Sequence, residues 1–220
     1  MSDVDIFDLD MVPDPEAFPF DEDEPPLERA RKIELQSRIR TSRLRIKARE
    51  KNDIKLDELN EIFPRLPNKR ESVHIVSSGN FDFWTFIPLL LERLGGHVDE
   101  AYISTWTMSR NHVLDMLDLL DSGAFGTLTI LTGIYFKTRE TSVYAQLVEG
   151  LAKRKARWVG FRNHAKVTLL RNKTHNLALE GSANLTANPR VEQFVLTNHE
   201  ALYQFHRDWM EEAVAKYLER

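Results

Sequence analysis

From about residue 72 onward the apolar positions recur with two periods, and the two periods take turns. Short runs that are continuously apolar or alternate with polar residues predict strands over 73–77, 100–105, 127–132, 157–161, 165–170, 175–179 and 193–197. Apolar residues three and four apart predict helices over 84–94, 109–120, 142–155 and 200–218. Helices interleaved with strands bury a sheet on both faces, so the pattern predicts an α/β fold, with a mixed, largely parallel sheet flanked by helices. No self-similar period of 20 to 50 residues is present that would indicate a solenoid. Pro64, Pro67 and Asn68 punctuate the chain just before this region, and the folded domain is expected over 71–220.

Charge divides the remainder. The 220 residues carry a net charge of −4, yet residues 1–28 contain no Lys or Arg and are rich in Asp, Glu and Pro. Such a segment repels itself and has too little apolar surface to fold, so a disordered acidic tail is expected there. At Arg29 the sign reverses. A stretch free of Pro and Gly runs to Lys51, with Leu35, Ile39 and Ile46 on one narrow apolar face, and residues 29–70 are read as a basic helix and linker. That helix has three uses open to it: lying along a phosphate backbone, packing on its own domain, or pairing with a second copy. The acidic tail, with its Phe18-Pro19-Phe20 cluster, has three as well: covering the protein's own basic surface, docking on a basic partner, or aiding solubility.

With no cysteine, a disulfide scaffold and zinc–thiolate clusters are excluded. The first residues have neither a basic nor an apolar leader region, and the run Phe86 to Leu91 is too short to span a bilayer. The expectation is a soluble, cytoplasmic protein with no membrane partner.

The chemistry concentrates in one segment. His164-Ala165-Lys166 is followed, after a strand-like stretch, by Gly181-Ser182-Ala183-Asn184. Side chains two apart on a strand share a face, which places His164 with Lys166 and Ser182 with Asn184. An imidazole nitrogen can attack a phosphodiester to give a phosphohistidine that water later hydrolyses. An ammonium, a hydroxyl and a carboxamide can hold the phosphate oxygens as charge builds on them. Each of these residues also has a purely structural reading, as a turn or a solvated surface group. No carboxylate–histidine cluster suggests a metal, and no cofactor is expected.

The pair of motifs resembles the HKD signature of the phospholipase D superfamily, H-x-K followed by four residues and D, then G-S or G-G, then N. His164, Lys166, Gly181, Ser182 and Asn184 occupy matching positions, while Arg171 stands where the family has its Asp. The endonuclease branch does without that Asp and carries a Glu at the head of the next strand, where Glu192 stands here. The resemblance therefore implies that Glu192 orients His164 and stabilises its developing charge. No other His in the chain has a Lys two places on, and single-motif members of the family bring two motifs together in a two-fold dimer, so a homodimer is implied.

Open α/β sheets bind ligands beyond strand ends. Ser78, Asn80, Thr105, Trp106, Tyr135 and Arg162 fall at such positions, and Trp106 or Tyr135 can stack on a base. The basic run Lys153, Arg154, Lys155 and Arg157 can line the path of a polyanion, or can simply be the cationic end of a helix. These features favour a metal-independent nuclease with nucleic acid, DNA first, as its partner. The alternatives are a non-catalytic nucleic-acid-binding or interaction module that keeps the phosphate pocket, and a lipid phosphodiesterase.

Overall fold

The computed structural model describes residue 59 and residues 63–77, 82–186 and 190–218. The acidic tail, the basic stretch, Ser78 and Asn80 lie outside these residues. Among the described residues seven strands form one sheet: β1 (Ser72–Ser77), β2 (Glu100–Ser104), β3 (Leu128–Gly133), β4 (Ala156–Phe161), β5 (Val167–Arg171), β6 (Asn176–Gly181) and β7 (Glu192–Asn198), in the order β1-β7-β6-β5-β2-β3-β4. The helices are α1 (Phe83–Arg93), α2 (Arg110–Asp121), α3 (Phe136–Arg139), α4 (Thr141–Leu151) and α5 (Glu200–Tyr217). None of the helices among the described residues is long and apolar enough to cross a membrane.

Every strand and helix expected within the described residues is present. The one addition is α3, a single turn that anchors the buried Phe136 and is too short to reveal a period. The α/β class and the mixed sheet are as expected, but the balance of pairings differs. Only β2–β3 and β3–β4 pair in parallel; β2–β5, β5–β6, β6–β7 and β7–β1 are antiparallel. Connection length is the reason. Parallel neighbours need a crossover long enough for a helix, and α2 and α4 supply it. Between β5 and β6 there is only a tight turn, in which Asn172 Oδ1 accepts from Thr174 N at 3.0 Å and His175 N at 2.9 Å, and such a turn can only return the chain antiparallel.

Alternation along each strand feeds two cores. Ala101 and Ile103 of β2, Leu170 of β5, and Leu177 and Leu179 of β6 pack with α1, α2 and α4 on one face. Tyr102, Leu169 and Ala178 point the other way, onto Tyr203, Met210 and Val214 of α5. The helix starts are capped where the sequence supplies an acceptor: Asp82 for α1, Ser109 for α2 and His199 for α5.

The register then decides what meets what. Ser104 at the end of β2 pairs with Val167 at the start of β5, Val167 with Glu180, Gly181 with Phe194, and Glu192 with Ser77. One end of the sheet therefore collects the exits of β1, β2, β3, β4 and β6 and the starts of β5 and β7.

Candidate active site

His164 and Lys166 lie in the loop between β4 and β5, three residues and one residue short of the strand. Asn163 secures this loop. Its buried amide nitrogen donates to Ser104 Oγ (2.9 Å) and reaches the carbonyls of Thr105 and Leu131 (both 3.3 Å). Its Oδ1 accepts from Ala165 N at 3.0 Å, and Ser104 Oγ donates to the Ala165 carbonyl at 3.1 Å. Beside a residue bonded on four sides, the main chain on either side of His164 has little freedom.

Neither residue lies in a strand, so strand period does not align them as expected, but the loop still brings the two side chains together. Lys166 Nζ lies 2.7 Å from His164 Nδ1 and donates to the His164 carbonyl at 2.7 Å. Lys166 is only 8 % exposed. Burial pushes its pKa down, opposed by the negative charge of Glu192. Burial also lowers the pKa of His164, and the Lys166 charge lowers it further. Both effects favour the neutral imidazole that a nucleophile requires.

Gly181 N donates to the Lys166 carbonyl at 3.1 Å, which ties the second motif to the first. The absence of a side chain at Gly181 is a packing requirement: a Cβ there would sit 2.8 Å from Phe194 Cδ1 and 2.9 Å from both Gln193 O and Phe83 Cε2. Ser182 Oγ donates to Glu192 and accepts from Gln193 N at 3.1 Å. Glu192, 7 % exposed, is thus placed against Ser182 and within electrostatic reach of Lys166, while the resemblance implies a role toward His164. Asn184 follows, its carbonyl held by Phe83 N at 3.5 Å, and its Oδ1 is buried without a hydrogen-bond partner among the described residues. Thr168 Oγ1 of β5 is likewise buried without a partner among the described residues, and such atoms are rare.

The sequence reading missed the residues behind this loop. Leu185, next to Asn184, is fixed by Ser109 N (2.9 Å) and His112 Nδ1 (2.8 Å) on its carbonyl, and by Thr105 Oγ1 accepting from its own N–H at 3.4 Å. His112 Nε2 lies 3.5 Å from Asp82 Oδ2, and its ring stacks on Trp84. Helix-interior His112 and helix-capping Asp82 carry no local signal of this task, nor does Asn163.

Trp106, Tyr135 and Arg162 all lie at the site end of the sheet, after β2, β3 and β4. Trp106 reaches His164, with ring centroids 5.9 Å apart. The basic run does not come here. Lys153, Arg154, Lys155 and Arg157 flank the start of β4, at the opposite end of the sheet. Arg154 is paired with Asp121 at 2.6 Å and Arg157 with Glu211 at 2.6 Å, so both cations stabilise the domain. Arg171 is also remote, at the far end of β5, in an ion pair with Glu100. Among the described residues no group of three or more His, Cys, Asp or Glu could hold a metal ion.

No family model and no curated protein sequence matches this chain. Solved structures do. NucT from Helicobacter pylori is similar at a TM-score of 0.50 and 11% identity, covering 67% of this chain and 98% of that one. Nuc from Salmonella typhimurium, a phospholipase D family member, gives a TM-score of 0.49 and 14% identity, covering 67% of this chain and 97% of that one. The domain formed by the described residues is therefore similar in fold to NucT.

Proposed function

We propose that the chain is a metal-independent phosphodiesterase, a nuclease acting on DNA through a phosphohistidine at His164 in a homodimer. The observation that carries this reading is convergence. The loop before β5, the exit of β6 and the head of β7 bring an accessible imidazole, a buried ammonium, a hydroxyl, a carboxamide and a carboxylate to one sheet end. The fold of NucT and the resemblance of the motif support it.

In this mechanism a ring nitrogen of neutral His164 attacks phosphorus. The P–N bond forms as the P–O bond to the leaving oxygen breaks, and a general acid supplies that oxygen with its proton. Water then attacks phosphorus, losing a proton to the same group, and the P–N bond breaks to restore the imidazole. Lys166 turns from His164 to the non-bridging oxygens, Asn184 donates to them, and Ser182 does so once its O–H turns from Glu192. Glu192 balances the charge of Lys166 and holds Ser182 in place until then. The general acid is His164 of a second copy, which a two-fold dimer brings to the far side of the phosphorus.

The deciding experiment incubates purified protein with labelled single- and double-stranded DNA in EDTA, beside His164→Ala. Cleavage by the wild type and none by the variant is the expected result. A requirement for magnesium or manganese, or undiminished cleavage by His164→Ala, overturns the mechanism. Binding without cleavage by the wild type would instead favour a non-catalytic module that keeps the phosphate pocket.

A further inference from the structure

A continuous ladder of flat groups leads away from His164. Trp106 stands beside the imidazole, with ring centroids 5.9 Å apart and planes at 48°. The guanidinium of Arg139 lies 5.7 Å from the centre of the Trp106 ring and 5.6 Å from that of Tyr135. Arg139 is exposed and comes from the one-turn helix α3, a segment in which the sequence shows no period. Among the described residues no carboxylate neutralises it.

The ladder is built rather than accidental. Gly133 N donates to the Trp106 carbonyl at 3.1 Å, and a Cβ on Gly133 would fall 2.4 Å from Trp106 Cδ1, so the indole rests on bare backbone and is held there. Tyr135 is 54 % exposed, next to Ile134 at 49 %, so the outer rung is open to a ligand. An open tyrosine ring and a guanidinium held on aromatic faces are groups on which a flat, anionic ligand can stack and pair.

The geometry points to Tyr135, Arg139 and Trp106 as a subsite for unpaired nucleotides flanking the phosphate at His164, selecting single-stranded over double-stranded nucleic acid. The inference rests on the nucleic-acid reading of the site. A base stacks on the Tyr135 ring, and Arg139 meets the adjoining phosphate while keeping its own face on Trp106. Stacking on a side chain needs a free base face, and every base has one in a single strand. In a duplex both faces are taken by neighbours, and exposing one requires unstacking. Sequence tolerance follows, because the contact is to the face and not to the edges.

The test measures binding by fluorescence anisotropy in EDTA, in a His164→Ala background so that no strand is cut. Three labelled ligands are compared: a mixed-sequence single strand, the same strand annealed to its complement, and an abasic strand of equal length. The single strand is expected to bind tightest. Tyr135→Ala and Arg139→Ala should each weaken it by about 5- to 150-fold, the range measured for loss of one stacked base, with little effect of Tyr135→Ala on the abasic strand. Tyr135→Phe, which keeps the ring, should retain tight binding. Equal affinity for the abasic and normal strands, or an equal loss on all three ligands in Tyr135→Ala, overturns the subsite. The two readings fail separately: absence of cleavage with ring-dependent binding removes the nuclease and keeps the subsite, and cleavage with base-independent binding does the reverse.

Discussion

Arg171 Nη2 lies 2.9 Å from Glu100 Oε2, across the β5–β2 ladder and at the end of β5 opposite His164. Arg171 also lies over the Tyr203 ring, and Glu100 further accepts from Tyr203 Oη at 2.8 Å and Arg207 Nε at 3.2 Å. The residue standing at the motif's Asp position is therefore part of the joint between the sheet and α5. Restoring an Asp there sets two carboxylates opposite each other, which destabilises. Arg171→Asp is expected to cost about 1–3 kcal/mol, lowering Tm by roughly 3–10 °C, with no gain in cleavage. Thermal unfolding and a nuclease assay on the same preparation check both halves. A faster Arg171→Asp enzyme would show that this position limits the chemistry after all.

Gly181→Ala tests the tight packing at the exit of β6. The added methyl meets Phe194, Phe83 and the Gln193 carbonyl, all closer than 3 Å, so the strand must shift. A loss of about 1–3 kcal/mol in denaturant unfolding is expected, with reduced activity because Ser182 moves with the strand. Unchanged stability would mean that the two phenyl rings can retreat without cost.

Asn163→Ala removes the amide that pins the loop and leaves the Ala165 N–H without its acceptor. Stability should fall by about 1–3 kcal/mol. The more diagnostic readout is kinetic: loss of positioning lowers kcat more than it raises KM. An equal change in both would assign Asn163 a purely structural role.

Burial and the Lys166 charge both lower the His164 pKa, so the neutral ring persists to lower pH than an ordinary imidazole. The acid limb of the kcat/KM profile should lie below the usual histidine value of 6.5. Lys166→Met removes the charge but leaves the desolvation, which is the larger cause. The His164 titration, followed by NMR, should then move upward without reaching the ordinary value. A downward move would contradict the assigned electrostatics.

Dimerisation is checked by sedimentation together with mixing. If each phosphodiester needs His164 from both copies, randomly re-paired hybrids of wild type and His164→Ala are inactive. An equal mixture should then show about half the activity that dilution alone leaves. A fully active monomer excludes the shared site.

The order of helices and strands was legible in the sequence because each element buries one face or two, and burial writes a period into the chain. The juxtaposition of the two motifs was legible too. His164-Ala165-Lys166 precedes one strand and Gly181-Ser182-Ala183-Asn184 ends the next, and a tight turn at Asn172 to His175 makes the strands antiparallel neighbours, so both motifs come to one sheet end. Local pattern does not encode partners that are distant in the chain. The pairing of Ser182 with Glu192, the anchoring of His164 by Asn163, and the support of Leu185 by His112 all follow from how β2, β6, β7 and α2 meet in space. The place of the basic run was likewise not legible: clustered charge is visible in the sequence, but only the fold reveals that Arg154 pairs with Asp121 and Arg157 with Glu211 at the end of the sheet opposite His164. Periodicity and spacing thus determined the elements and the main chemical motif. Register and the packing of helices on the sheet decided which side chains surround it, because those contacts are set by the whole core and by no single segment.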